Sequence, residues 1–161
     1  IDFFNYVIVP AITIYWFKLV PDNFLILIPS ILILISIYSY VNLNVMTSDH
    51  YYNGFPAIWN VVVLYFYIFG SNQFSNLIIL ILLIILKFSP LKCIHPLRVK
   101  KLRIISIFFT IVWFTTSALL ILSMQTKINP IYELSFMFAW VTSNFYFIAV
   151  SLYKSLINKN Y

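Results

Sequence analysis

The stretch Thr47-Ser48-Asp49-His50-Tyr51-Tyr52-Asn53-Gly54-Phe55-Pro56-Ala57-Ile58-Trp59-Asn60 brings an acid, an imidazole, amides, hydroxyls and several aromatic rings into one short run. Two groups that could titrate usefully, Asp49 and His50, one of the 2 glycines and a buried-looking Trp-Asn pair fall within it, which marks it as a candidate for chemistry. It equally suits a polar turn whose aromatic residues anchor at a bilayer border. Asp2 stands at the mouth of an apolar run, where an acid is a functional candidate by default or is simply solvated. A third concentration is basic: Lys87, Lys92, Arg98, Lys100, Lys101 and Arg103. Basic residues beside a membrane attract anionic head groups at about 1 kcal/mol each. Arg98 or Arg103 could also hold a phosphate through paired donors.

Other chemistries are poorly served. His50 and His95 are far apart in sequence and have no acidic partner at metal-ligand spacing, so a zinc site is not expected. The single cysteine, Cys93, excludes a disulfide framework and reads as a small side chain near a membrane surface. No nucleophile elbow occurs. With only 2 glycines there is no glycine-rich phosphate loop. The basic loop is short and lies between apolar runs, which argues against nucleic-acid binding. Trp16, Trp59, Trp113, Trp140 and the 12 tyrosines could build a cage for a quaternary ammonium group, though the sequence does not say which converge.

The elements that must position these residues lie in lipid. Of 161 residues 63% are hydrophobic and 9% charged, and the mean hydropathy is +0.97. A soluble domain is about half apolar and about a quarter charged, so a soluble globule and a disordered chain are both excluded. Six apolar runs approach the roughly 20 residues a bilayer span needs: 3–19, 24–41, 55–70, 74–88, 104–124 and 131–153. The run Leu77–Leu86 does not alternate in polarity, as a barrel strand would, so it is read as a helix. The expected fold is therefore all-α: a polytopic transmembrane bundle of about six spans in a single integral membrane domain, 1–161.

Local signals refine this. The third and fourth runs form a tight hairpin across Gly70-Ser71-Asn72-Gln73. Asn129-Pro130 fits an N-cap followed by proline, with Glu133 in the first turn. Pro56 suits the opening of the third helix, whereas Pro10 and Pro29 predict kinks inside spans. With six spans, Lys87, Lys92, Arg98, Lys100, Lys101, Arg103, Lys154 and Lys159 lie on the side of Asp2, against Lys18 and Lys127 opposite. That bias places Asp2, the 42–54 and 89–103 loops and the C-terminus in the cytoplasm.

The run Asp2-Phe3-Phe4-Asn5-Tyr6-Val7-Ile8-Val9-Pro10-Ala11 resembles the segment closing the signature of bacterial phosphatidylcholine synthases, membrane enzymes of the CDP-alcohol phosphatidyltransferase superfamily. Residues 48–62, with Asp-His-aromatic leading into Gly-Phe-Pro and Trp-Asn, resemble a second stretch of that family, and His95-Pro96-Leu97-Arg98-Val99 is similar to a third. The signature D-x-x-D-G-x-x-A-R, eight residues, G-x-x-x-D-x-x-x-D is present only in its last position, Asp2. The chain begins with Ile1, so the expectation is an N-terminally truncated protein that lacks the first spans and is inactive alone.

The resemblance implies attack of the choline hydroxyl on CDP-diacylglycerol, release of CMP and formation of phosphatidylcholine, in the bacterial inner membrane. It implies Mg²⁺ or Mn²⁺ held by the signature aspartates, with Asp2 as general base and one metal ligand. Asp49, His50, Tyr51, Trp59, Asn60, Arg98 and Arg103 become the candidate substrate-binding residues. The implied partners are membrane lipids, CDP-diacylglycerol, choline and a second copy of the chain in a homodimer. Three other readings stay open: transfer to another alcohol such as serine, a small transporter subunit, and a remnant that keeps the fold without the chemistry.

Overall fold

The computed structural model describes residues 1–42, 45–126 and 129–157. Lys127 and Lys159, both used in the charge count, lie outside them. The helices are α1 Val9–Trp16, α2 Leu27–Val41, α3 Trp59–Phe69, α4 Gln73–Lys87, α5 Arg103–Gln125 and α6 Pro130–Ile157. A π-helical turn, Phe4–Ile8, leads into α1, and 3-10 turns at Asp22–Phe24 and Lys100–Leu102 precede α2 and α5. Strands β1, Tyr51–Asn53, and β2, Lys92–Ile94, pair in a two-stranded sheet that the all-helical expectation lacked.

Three helical stretches are long and apolar enough to cross a membrane: Asp22–Val41, Lys100–Gln125 and Pro130–Ile157. Phe4–Trp16, α3 and α4 are apolar but shorter. At 1.5 Å per residue, α3 reaches about 16 Å against a hydrocarbon core of about 30 Å.

The described residues fall into two compact units, Ile1–Met46 with Asn53–Pro90, and Thr47–Tyr52 with Leu91–Tyr161. The first is built around Val7, Ile14, Leu32, Trp59, Phe66 and Leu80, all buried. Its turns close on one another. Gln73 Nε2 donates to Lys18 O at 2.9 Å, and Asn76 Nδ2 to Leu19 O at 2.8 Å. The turns after α1 and α3 therefore share one end of the unit, as an alternating path requires.

Both helices stop in the same way. Lys18 and Gly70 take left-handed conformations (φ 48° and 54°), and the next N–H donates five residues back: Leu19 to Ile14 O, Ser71 to Phe66 O. Asn72 Oδ1 then accepts the Ser75 N–H and starts α4, giving the expected hairpin.

Pro10 is the second residue of α1, where the ladder changes register and the Val9 N–H reaches five residues back to Phe4 O. The disturbance expected there takes the form of a π-helical turn. Pro29 corrects the expectation of a kink: it is the third residue of α2, where its missing N–H would have no intrahelical partner anyway.

In the second unit α5 and α6 pack through polar contacts. Trp140 Nε1 donates to Ser117 Oγ at 2.9 Å, Ser106 Oγ and Tyr146 OH are 2.8 Å apart, and Phe109 stacks on Tyr146 at 4.3 Å. The start of α6 is as expected, with Pro130 as its first residue and Asn129 Oδ1 accepting the Ile131 N–H.

Candidate functional site

The length of α6 sets up the loop site. Its 28 residues span about 42 Å, longer than a hydrocarbon core of about 30 Å. In its C-terminal part Phe147, Val150, Ser151, Lys154 and Ser155 recur three and four apart and share one face. Ser155 Oγ accepts the Lys92 N–H at 2.7 Å, and Ser151 Oγ accepts the Ile94 N–H at 3.1 Å. The spacings match: four residues of helix rise about 6 Å, and two residues of strand about 6.6 Å. One edge of β2 is thus held by α6 and the other by β1.

The 47–52 turn carries three of the candidate residues. Thr47 Oγ1 donates to Asp49 Oδ1 at 2.6 Å and accepts the Tyr51 N–H at 2.9 Å. His50, half-buried, has a φ of 69°, in the left-handed region that few non-glycine residues occupy. The other carboxylate oxygen of Asp49 lies 2.6 Å from Lys154 Nζ, which also sits 5.3 Å from the centre of the Tyr51 ring. Tyr51 is buried with Ile94 and Val99 against Leu102, Phe147 and Val150.

The electrostatics follow from these contacts. Partial burial pushes the Asp49 carboxyl up, but the hydrogen bonds from Lys154 and Thr47 and the charge of Lys154 prevail and hold it below its ordinary value. Burial raises the Tyr51 phenol, against the pull of Lys154. His95 is lowered by burial and then by the charges of Arg98 and His50. The paired strands thus bring together the electrostatics of two histidines that sequence distance had separated. His95 Nδ1 accepts the Leu97 N–H at 3.3 Å, so the neutral ring carries its proton on Nε2. Tyr52 stacks on that ring at 5.5 Å. Arg98 and Arg103 are exposed.

In the first unit the Gly-Phe-Pro segment closes on the end of α4. The Phe55 N–H donates to Leu86 O at 3.2 Å, satisfying a helix-end carbonyl. Gly54 has φ 76°, and a Cβ there would lie 1.9 Å from Lys87 O. Only glycine fits so close an approach. Trp59 is fully buried, and its indole N–H donates to Ser36 Oγ at 2.9 Å. Asn60 Oδ1 is buried without a hydrogen-bond partner among the described residues. Asp2 is exposed in the first helical turn.

The chain is 33% identical over 155 residues to a curated protein of Pseudomonas aeruginosa, covering 96% of this chain and 63% of that protein. It is 35% identical over 111 residues to one of Borreliella burgdorferi, covering 69% of this chain and 47% of that protein. Over 113 residues it is 28% identical to one of Rhizobium meliloti, covering 70% and 47%. All three relatives are phosphatidylcholine synthases. Similarity to the Pseudomonas phosphatidylcholine synthase runs through both units. The chain spans about half to two thirds of the length of these synthases. No protein-family model and no solved structure matches it.

A divalent metal, which the resemblance to phosphatidylcholine synthases implies, is not accommodated by these residues alone. Among the described residues no three His, Cys, Asp or Glu side chains come together. Asp2 could supply one carboxylate, and hard cations require several oxygen ligands. Sequence reasoning also missed Lys154, Ser151 and Ser155, counting Lys154 only for its charge. The available signal was their three-and-four spacing with Phe147 and Val150 at the end of an overlong helix.

Proposed function

We propose that the protein carrying this chain is a multi-pass membrane enzyme that transfers the phosphatidyl group of CDP-diacylglycerol to choline. The choline oxygen bonds to the lipid-bearing phosphorus, the bond to the CMP oxygen breaks, and the hydroxyl proton passes to a base. The carrying observation is the 33% identity to the Pseudomonas aeruginosa phosphatidylcholine synthase across 96% of this chain. The roles of Asp2 as base for the hydroxyl and of His50, Tyr51, Asn60, Arg98 and Arg103 as substrate-binding residues follow the resemblance, whereas Trp59, which the resemblance also gave as a substrate contact, backs the segment from within the core of the first unit. A divalent cation, Mg²⁺ or Mn²⁺, supplies charge neutralisation at the diphosphate when bound, with ligands beyond Asp2 coming from outside the described residues.

In this reading all six apolar segments lie in the bacterial inner membrane, the C-terminus is cytoplasmic, and the enzyme is a homodimer. The polar residues of α5 and α6 favour it over a transporter. Thr110, Thr115, Thr116, Ser117, Thr142 and Ser143 donate back to carbonyls of their own helices, and Asn144 does the same. These groups are used locally rather than lining a path.

The test is incorporation of labelled choline by membranes from cells expressing the complete reading frame that contains these residues. Phosphatidylcholine should form only when CDP-diacylglycerol is added. Asp2→Asn should lower the rate about 100-fold or more, the scale of a lost general base. Incorporation of serine but not choline would sink the assignment. The 161 residues expressed alone should be inactive.

A further inference from the structure

We propose that Lys154 is the positioning residue of the 47–52 turn, holding Asp49 and Tyr51 against α6 and thereby fixing where His50 and Tyr52 are presented. Its functional consequence rests on the phosphatidyltransferase reading, whereas its structural one rests on geometry alone.

The turn cannot hold itself. Its own hydrogen bonds centre on Thr47, and a sheet of two three-residue strands is marginal without an external support. His50 keeps a left-handed conformation that persists only where surrounding contacts over-determine it. Lys154 supplies that restraint with one ammonium group, 2.6 Å from Asp49 Oδ2 and 5.3 Å from the Tyr51 ring centre. The side chain of Lys154 is 24% exposed and that of Asp49 46%, so the pair is shielded from water on the lysine side only. The residues on either side of it on that helix face, Ser151 and Ser155, hold β2. One helix face therefore sets the register of both strands. Asp49 spends its charge on Lys154, so it acts through the turn rather than on the choline cation.

Hydrogen exchange read by mass spectrometry tests this on the complete protein in phospholipid nanodiscs. Lys154→Met and Asp49→Asn should each speed exchange of the 47–53 and 92–94 amides about tenfold, the scale of one charge-assisted hydrogen bond. Lys154→Arg, which keeps both the ion pair and the cation over the ring, should restore the wild-type rate. Exchange in α5 should not change, and Asp49→Asn reads the same contact from the loop side. Unaltered exchange in Lys154→Met and Asp49→Asn overturns the proposal.

The second arm is kinetic. Where the wild type makes phosphatidylcholine, Lys154→Met should lower kcat/KM about tenfold, with Lys154→Arg recovering most of it. The double variant Lys154→Met/Asp49→Asn should be no worse than either single one, because both break one contact. Additive losses overturn the proposal, since Asp49 would then meet substrate independently. If the wild type transfers nothing to choline, the functional reading fails, and the exchange experiment still decides the role of Lys154.

Discussion

Each unit buries a tryptophan whose indole N–H donates to a serine hydroxyl at 2.9 Å, Trp59 to Ser36 in the first and Trp140 to Ser117 in the second. Beyond that likeness they are closed differently. The first unit has a continuous apolar core; its 53–56 loop shuts onto the end of α4 through the Phe55 N–H on the Leu86 carbonyl, and the turn after α1 offers its carbonyls to the side-chain amides of Gln73 and Asn76. The second has a small apolar cluster of Tyr51, Ile94 and Val99, and its loops are held by the serines and lysine of one helix face. In lipid, apolar surface gives helices no hydrophobic reason to associate, so packing and polar contacts must do it. The 53–56 loop is fixed by a close backbone fit at the end of α4, whereas the 47–52 turn and the 92–94 strand are fixed by side-chain hydrogen bonds and charge from one face of α6.

Shape is the less forgiving of the two, and the largest effect is expected there. Gly54→Ala would force a Cβ into the Lys87 carbonyl at a positive φ, costing about 3 kcal/mol. Unfolding in mixed detergent micelles should show it, and a neutral result would break the claim that shape closes this loop. Gly70→Ala, also at positive φ but in open space, should cost about 1 kcal/mol.

Next come the serines of α6. Ser151→Ala and Ser155→Ala each remove the acceptor of a β2 N–H, at about 1 kcal/mol apiece. Faster exchange should be confined to 92–94. If it spread to 53–56 in the first unit, the two closures would not be independent.

Ser36→Ala and Ser117→Ala, which remove the acceptor without shrinking the buried rings, should cost about 1 kcal/mol each, the worth of one interhelical hydrogen bond in lipid. A large cost for one and none for the other would break the parallel between the units.

The smallest effect is that of pH. His95 is depressed in the folded state, so its contribution is fully present above its ordinary value of about 6.5 and is lost as pH falls below it. Asp49 is also depressed, and its contribution disappears as pH falls below about 3.8 towards its folded value. Exchange in 47–52 and 92–99 should accelerate in those two steps. The 53–60 segment, closed by backbone and apolar contacts, should not follow.

Legible in the residues alone were the apolar helical character, the hairpin at Gly70–Gln73, the Asn129-Pro130 helix start and the three stretches that resemble phosphatidylcholine synthases. Each is a local matter of composition, capping residue or a short run in fixed order. The number of helices long enough to span was less legible, because residues 17–19 and 55–58 belong to the apolar runs yet lie outside the helices. The role of Gly54 was invisible as well, since the carbonyl it makes room for is 33 residues away in sequence. Only the tertiary structure paired Tyr51 and Tyr52 with the 92–94 strand and set Lys154 against Asp49. The physical reason is distance along the chain. A contact between residues 49 and 154 leaves no local pattern, and it forms only once helix length and face have carried one to the other.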